Sequence, residues 1–124
     1  MEQTAPADLL DGIGNRDFAR IEGCFAPDAV LRALTPHRLR ERQGPREIAD
    51  QYRFWLAGLD DFELLAAETE PVADRTRIRY RFRGRDPAKG WQENEHTAYA
   101  ELSGNAIAAL NLSCAGFRPA GPRS

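Results

Sequence analysis

Arg75-Thr76-Arg77-Ile78-Arg79-Tyr80-Arg81-Phe82-Arg83 alternates cation with neutral side chain along its whole length. That period of two marks a half-buried β-strand, with Ile78, Tyr80 and Phe82 on one face and the arginines on the other. Trp91 to Leu102 complements it, placing Glu93, Glu95 and Glu101 on one face and Asn94, His96, Ala98, Ala100 and Leu102 on the other. Pairing Arg81 with Glu93 and Arg79 with Glu95 sets opposite charges side by side and seats Tyr80 near Asn94 and Ile78 near His96. On the other flank, a tight turn at Ala73-Asp74 puts Glu68 and Glu70 opposite Arg79 and Arg77. Each exposed pair contributes only about 0.2–1 kcal/mol, but one register satisfies several at once. The arginine row therefore reads as a salt ladder on an outer face rather than an anion site.

Working outward, a final strand over residues 105–115 follows the Ser103-Gly104 turn. A two-residue loop there pairs Ala98 with Ala109, His96 with Asn111 and Asn94 with Ser113. It sends Ala108, Leu110, Leu112 and Cys114 outward as an apolar stripe, which calls for a covering subunit. A three-residue loop reverses the strand, because a one-residue slip exchanges the faces; the first register is preferred. Upstream, Thr4 or Asp8 can cap a helix carrying Ala7, Leu9, Leu10 and Ile13, stopped by Gly14-Asn15. A short helix over 17–25 and a strand over 29–34 follow. His37 to Arg42 reads as a polar partner strand or loop, and a third helix after Gly44-Pro45 carries Ile48, Tyr52, Trp55, Leu56 and Leu59. A strand over 62–70 precedes the arginine strand. Helices first, then consecutive strands on short turns, give an α+β domain with an antiparallel sheet.

Composition narrows the function classes. The chain has 124 residues, a net charge of -2 and 42% hydrophobic residues, enough for one domain with a real core. No concentrated positive charge invites nucleic acid or an anionic membrane, and no apolar run is long enough to span one. The Met1-Glu2-Gln3 start lacks a signal-peptide pattern, so the expected location is cytoplasmic. Cys24 and Cys114 lack metal-ligand or redox spacing and read as buried thiols. Without secretion, the Asn111-Leu112-Ser113 sequon is a chance match.

Few inward polar groups remain to carry chemistry. His96 is the catalytic candidate, since imidazole titrates near neutrality and serves as acid or base. Asn111, Asn94, Ser113 and Tyr80 surround it in the preferred register and could bind a carbonyl or hydroxyl. Tyr52 and Trp55 are core positions that can also contact a ligand. His37 to Arg42 suits a solvated loop or a pocket rim. No phosphate loop, nucleophile elbow or metal motif is present, so neither metal nor cofactor is expected.

Gly14-Asn15-Arg16-Asp17-Phe18, followed by Cys24-Phe25-Ala26-Pro27-Asp28-Ala29-Val30, resembles the opening of the nuclear-transport-factor-2-like superfamily. Gly44-Pro45 through Trp55 is similar to that group's third helix, and Glu95 through Ile107 to its final hairpin. The likeness spans about residues 7 to 117. The superfamily includes ketosteroid isomerases, SnoaL-like polyketide cyclases, limonene epoxide hydrolase and scytalone dehydratase. It implies a curved antiparallel sheet with a mixed edge, five to six strands wrapped around three N-terminal helices, enclosing a cone-shaped pocket. The expected domain covers residues 1–118, with a flexible tail over 119–124.

The resemblance also implies a homodimer through the outer sheet face. It argues against ketosteroid isomerase activity, whose tyrosine, base and protonated aspartate align with Leu9, Ala33 and Ala98. The functional expectation is a pocket protein for a small hydrophobic ligand. As an enzyme it would be a cofactor-independent cyclase, isomerase, dehydratase or hydrolase acting on an oxygenated, polyketide- or terpenoid-like substrate. The alternative is a non-catalytic ligand-binding or dimeric interaction domain.

Overall fold

Side-chain caps start the first two helices: Thr4 Oγ1 accepts from Ala7 N at 3.4 Å, and Asp17 accepts from Arg20 N at 3.1 Å. The computed structural model describes residues 4–121. Helices α1 (Ala5–Asn15) and α2 (Phe18–Glu22) lead into strands β1 (Phe25–Leu34) and β2 (Leu39–Gln43), then helix α3 (Pro45–Leu56). Strands β3 (Asp60–Val72), β4 (Arg75–Asp86), β5 (Gly90–Ser103), β6 (Ala106–Cys114) and β7 (Arg118–Pro119) complete the chain. Helix α2 is shorter than the expected 17–25, because Phe25 already pairs with β6. At the α1 terminus Arg16 adopts a left-handed backbone, and its guanidinium donates to the carbonyls of Leu56 and Leu59, at 3.2 and 2.5 Å. That contact adds a donor to carbonyls at and just beyond the end of α3 and ties two helices together.

The sheet runs β2-β1-β6-β5-β4-β3, with β7 added beside β5. Only the β1–β6 contact is parallel, so the sheet is mixed, with the helices packed into its concave side. Strand β7 was not expected: Gln92 and Glu93 pair with Pro119 and Arg118, and Ala120 N donates to Trp91 O at 3.0 Å. Residues 118–120 are therefore part of the sheet, and the last three residues of the expected tail, 122–124, lie outside the described residues. The end of the chain also covers Arg83, which is buried, stacks over Trp91 at 4.6 Å and reaches Gly121 O at 3.3 Å. Arg83 is thus an exception to the outer arginine ladder.

Elsewhere the ladder holds, with Arg79–Glu68 at 2.8 Å and Arg77–Glu70 at 2.7 Å across the Ala73-Asp74 turn. The β4–β5 register differs from expectation by two residues: Tyr80 stands opposite His96, Phe82 opposite Asn94 and Arg81 opposite Glu95. The reason is the connecting turn. The Asp86 carboxylate accepts from Ala88 N and Lys89 N at 2.8 and 3.0 Å, and Gly90 supplies the positive φ of +81° that closes a three-residue loop. A slip of two keeps every side chain on its face, and Arg81 still reaches Glu93 diagonally at 3.4 Å.

The preferred β5–β6 register is overturned. The turn sits at Gly104-Asn105, flanked by the pair Ser103↔Ala106, which by itself would preserve the faces. A bulge at Ala108, between Leu102↔Ile107 and Glu101↔Ala109, then inserts one residue and exchanges them. Leu110, Leu112 and Cys114 are consequently buried, opposite Ala100, Ala98 and His96, while Asn111 and Ser113 are exposed. The apolar stripe on which an outer-face dimer was expected is inside the domain. Leu110→Ala should therefore cost about 2–5 kcal/mol, as cavity formation in a core does. Asn111→Ala should stay within about 0.5 kcal/mol, and Arg79→Ala, an exposed pair, below about 1 kcal/mol. Urea unfolding of the three variants checks the placement, and a near-neutral Leu110→Ala would contradict it.

Candidate functional site

Three elements bring polar side chains together inside the cone. Period-two alternation turns Tyr80 of β4 and His96 of β5 inward, and their register makes them neighbours. Helical spacing brings Tyr52 and Trp55 of α3 down onto them. Tyr52 Oη lies 2.9 Å from Tyr80 Oη, which lies 2.8 Å from His96 Nδ1. Aromatic edges enclose the imidazole, with ring centroids of Trp55, Tyr80 and Phe82 at 4.8, 5.1 and 5.5 Å. His96 Nε2 is buried and has no hydrogen-bond partner among the described residues.

Counting donors orients this chain. If Tyr52 donates to Tyr80 and Tyr80 donates to Nδ1, both hydroxyl protons are used and only Nε2–H is left over. The reverse direction strands both the Tyr52 proton and the Nε2 lone pair, and each unsatisfied buried group costs about 1–3 kcal/mol. The first arrangement wins, making Nε2–H a donor without an acceptor. Burial lowers the His96 pKa to about 3 and raises both tyrosine pKa values, so at neutral pH all three are uncharged. The expectation that His96 titrates near neutrality is thereby corrected: desolvation, with no nearby carboxylate to offset it, removes the imidazolium.

Of the residues expected around His96, Tyr80 is beside it, and Tyr52 and Trp55, expected as core positions that can also contact a ligand, join the cluster. Asn94 faces inward but is engaged elsewhere, its Nδ2 lying 3.4 Å from Cys114 Sγ and its Oδ1 accepting from Glu95 N at 2.7 Å. Asn111 and Ser113 do not belong to the cluster, because the Ala108 bulge turns them to the outer face. Leu9, Ala33 and Ala98, which the resemblance aligns with the isomerase groups, are fully buried apolar side chains.

Above the His96 cluster, a cavity of about 530 Å³ opens at the mouth of the cone. Trp55, Cys114 and Phe117 line it, with Phe54, Arg40 and Lys89 around them. Trp55 both lines this cavity and touches His96. A neighbouring pocket of about 260 Å³ shares Phe54, Trp55, Lys89 and Phe117. Of the His37 to Arg42 segment, His37 and Arg40 do form rim. Sequence reasoning missed Cys114, hidden by the wrong register, and Phe117. The local signal for Phe117 was Gly116, whose φ of +93° and 2.6 Å approach of a would-be Cβ to Pro36 Cγ admit only glycine. That close crossing carries Phe117 over the opening. Among the described residues no three His, Cys, Asp or Glu side chains converge as metal ligands, and no helix is long and apolar enough to cross a membrane.

A mixed sheet coned around three helices, with a buried polar chain beneath a cavity at its open end, defines the nuclear-transport-factor-2-like class of pocket protein. The SnoaL-like domain family matches residues 7–109, and the chain belongs to it. Similar solved structures include a ketosteroid-isomerase-like fold protein from Catenulispora acidiphila in complex with trimethylamine, at 10% identity and a TM-score of 0.71, covering 90% of this chain and 85% of that one. A phenazine biosynthesis-related protein from Pseudomonas aeruginosa matches at 16% identity and a TM-score of 0.67, covering 89% and 75%. An epoxide hydrolase of M. tuberculosis matches at 14% identity and a TM-score of 0.67, covering 89% and 79%. At such identities the likeness is one of fold. Among curated proteins none matches the sequence.

The buried imidazole makes stability depend on pH with a definite sign. Between about pH 6.5 and pH 3 the unfolded chain binds a proton at residue 96 that the folded chain does not. Stability should therefore fall as pH falls through that window, by up to about 1.4 kcal/mol per unit from this group, and the term should vanish above it. Urea titrations of wild type and His96→Phe at pH 7, 6 and 5 isolate the term, which the variant should lack. Parallel curves would show that His96 is not held neutral.

Proposed function

We propose that this chain is a small-molecule pocket protein whose ligand is hydrophobic and oxygenated, of polyketide or terpenoid type, and whose ligand oxygen accepts from His96 Nε2–H. The observation that carries this reading is the stranded donor itself, set in an aromatic cage whose Trp55 also lines the mouth cavity. Buried donors without partners are rare and costly, and a carbonyl, ether or hydroxyl oxygen would satisfy this one. Trp55 lines the cavity and touches the imidazole, and in this reading the ligand reaches Nε2 by displacing the indole.

A neutral imidazole with so low a pKa is a weak base and a serviceable electrophile. In the catalytic form of the reading it polarises a carbonyl or epoxide oxygen during a cofactor-independent isomerisation, cyclisation, dehydration or hydrolysis. A second reading, binding without turnover, is favoured by one observation: among the described residues no Asp or Glu is buried. A carboxylate base therefore has to come from the ligand. Pairing of two copies through the outer sheet face rests on the family resemblance alone, and sedimentation at micromolar concentration tests it.

Native mass spectrometry of freshly purified protein should show a co-purified small molecule. His96→Phe should keep the fold and weaken that ligand about tenfold, the effect of one lost hydrogen bond. An empty spectrum, with no melting shift across aromatic ketones, terpenoid alcohols and polyketide esters, overturns the pocket reading. Undiminished affinity in His96→Phe removes His96 from it.

A further inference from the structure

We infer that the mouth cavity selects organic carboxylates, with an apolar body laid on Trp55 and Phe117 and the carboxylate held by Arg40. This rests on the pocket reading above and names the chemical class of its ligand. Over the whole chain acids outnumber Lys and Arg by 19 to 17. Around the cavity that balance inverts: Arg40, Lys89, Arg118 and His37 line it, and among the described residues no carboxylate does. Neither Arg40 nor Lys89 has an acid within ion-pair distance among the described residues, whereas most arginines of the β4 ladder do. Asp86, at the adjoining pocket, accepts at Oδ1 from the Ala88 and Lys89 backbone N–H groups and feels the Lys89 charge, which offsets part of that cation and leaves Arg40 as the main one. Arg118 is a weaker contributor, standing opposite Glu93 in the β5–β7 register.

Arg40 is the positioned cation. Its strand partner is Ala33, which is buried, so the two side chains share the concave side of the sheet. Its guanidinium carbon lies 5.3 Å from the centroid of the exposed Phe54 ring, and its Nε is buried with no hydrogen-bond partner among the described residues. A planar guanidinium with an unused donor suits one planar acceptor, the carboxylate, better than a diffuse anion. The aromatic floor supplies the apolar contact that a purely inorganic anion would leave unused. Lys89, on the facing turn, adds a second cation that steers without fixing geometry.

The test compares naphthalene-2-carboxylate with naphthalene-2-carboxamide, alike in size and apolar area and differing in charge. Binding is followed by calorimetry and by the indole N–H NMR signal of Trp55. The carboxylate should bind at least tenfold tighter, with the preference declining as salt is added. Arg40→Gln should bring the ratio near one and leave the carboxamide unaffected. Arg40→Lys, which keeps charge and loses the fork, should restore only part of it, and Lys89→Gln should cost a few-fold. Residue 40 lies on an edge strand, and Arg40→Lys guards against a loss of fold being mistaken for a loss of site. A ratio near one in wild type overturns the carboxylate inference and leaves the pocket standing. A ratio that survives Arg40→Gln removes Arg40 from the role. If neither probe moves the Trp55 signal, the inference and the pocket reading fall together.

Discussion

Which face of a strand is buried is a matter of parity, and in this domain the parity of β6 turns on one residue. The bulge at Ala108 adds a single residue between the Gly104-Asn105 turn and the pairs that follow. Every side chain beyond it changes sides. Leu110 and Leu112 then pack against Ala100 and Ala98, and Cys114 comes to rest opposite His96. The small residues of β5 and the large ones of β6 complement each other across the pair, so the bulge and the core specify the same register. Without it the concave face would carry Asn111 and Ser113, polar groups with little else inside to pair with, and the apolar side chains would meet water.

The polar organisation of the interior follows from that packing. Since β6 presents only apolar groups and a thiol, His96 has no amide neighbour across β5–β6 and takes its hydrogen bond from Tyr80 of β4 instead. Tyr80 is also bonded to Tyr52 on α3, so one short chain of hydroxyls links the helix layer to two strands. Such a chain in a dry, aromatic surrounding is strong where it is satisfied and costly where it is not. Its free end, Nε2, is a buried donor with no partner among the described residues, as Gln51 Nε2 also is, but it alone sits at the end of this chain. Burial that makes the imidazole uncharged also changes its chemistry, from proton carrier to fixed hydrogen-bond donor.

The fold accommodates this because the cone separates scaffold from site. Leu9, Ala33 and Ala98 make the deep interior apolar, and the large rings of Tyr52, Tyr80 and Phe82 are packed there as core. The open space lies at the rim instead, bounded by the end of α3, the β1–β2 connection, the β4–β5 turn and the segment after β6. Segments of that kind tolerate change without disturbing the sheet, which is how one architecture comes to serve unrelated ligands. Here their side chains bring aromatic surface and unpaired positive charge to one place.

Much of this architecture was legible in the residues alone. Period-two alternation in β4 and β5, a capping residue before α1 and the apolar face of α3 each encode local geometry in local sequence. They were enough for the class of fold, the inward direction of His96 and the pairing of Glu68 and Glu70 with Arg79 and Arg77. The β4–β5 offset was not legible, since charge complementarity is equally satisfied by registers two residues apart. Only the Asp86 turn and Gly90 chose between them. Nor was the Ala108 bulge, because Ala106-Ile107-Ala108-Ala109-Leu110 reads smoothly as a strand in either parity. The choice came from burying Leu110 and Leu112 against a concave face that exists only once the sheet has curved around the helices. For the same reason Arg40, Lys89 and Phe117, distant in sequence and unremarkable singly, become one site only in the folded chain, where three separate connections meet at the mouth of the cone.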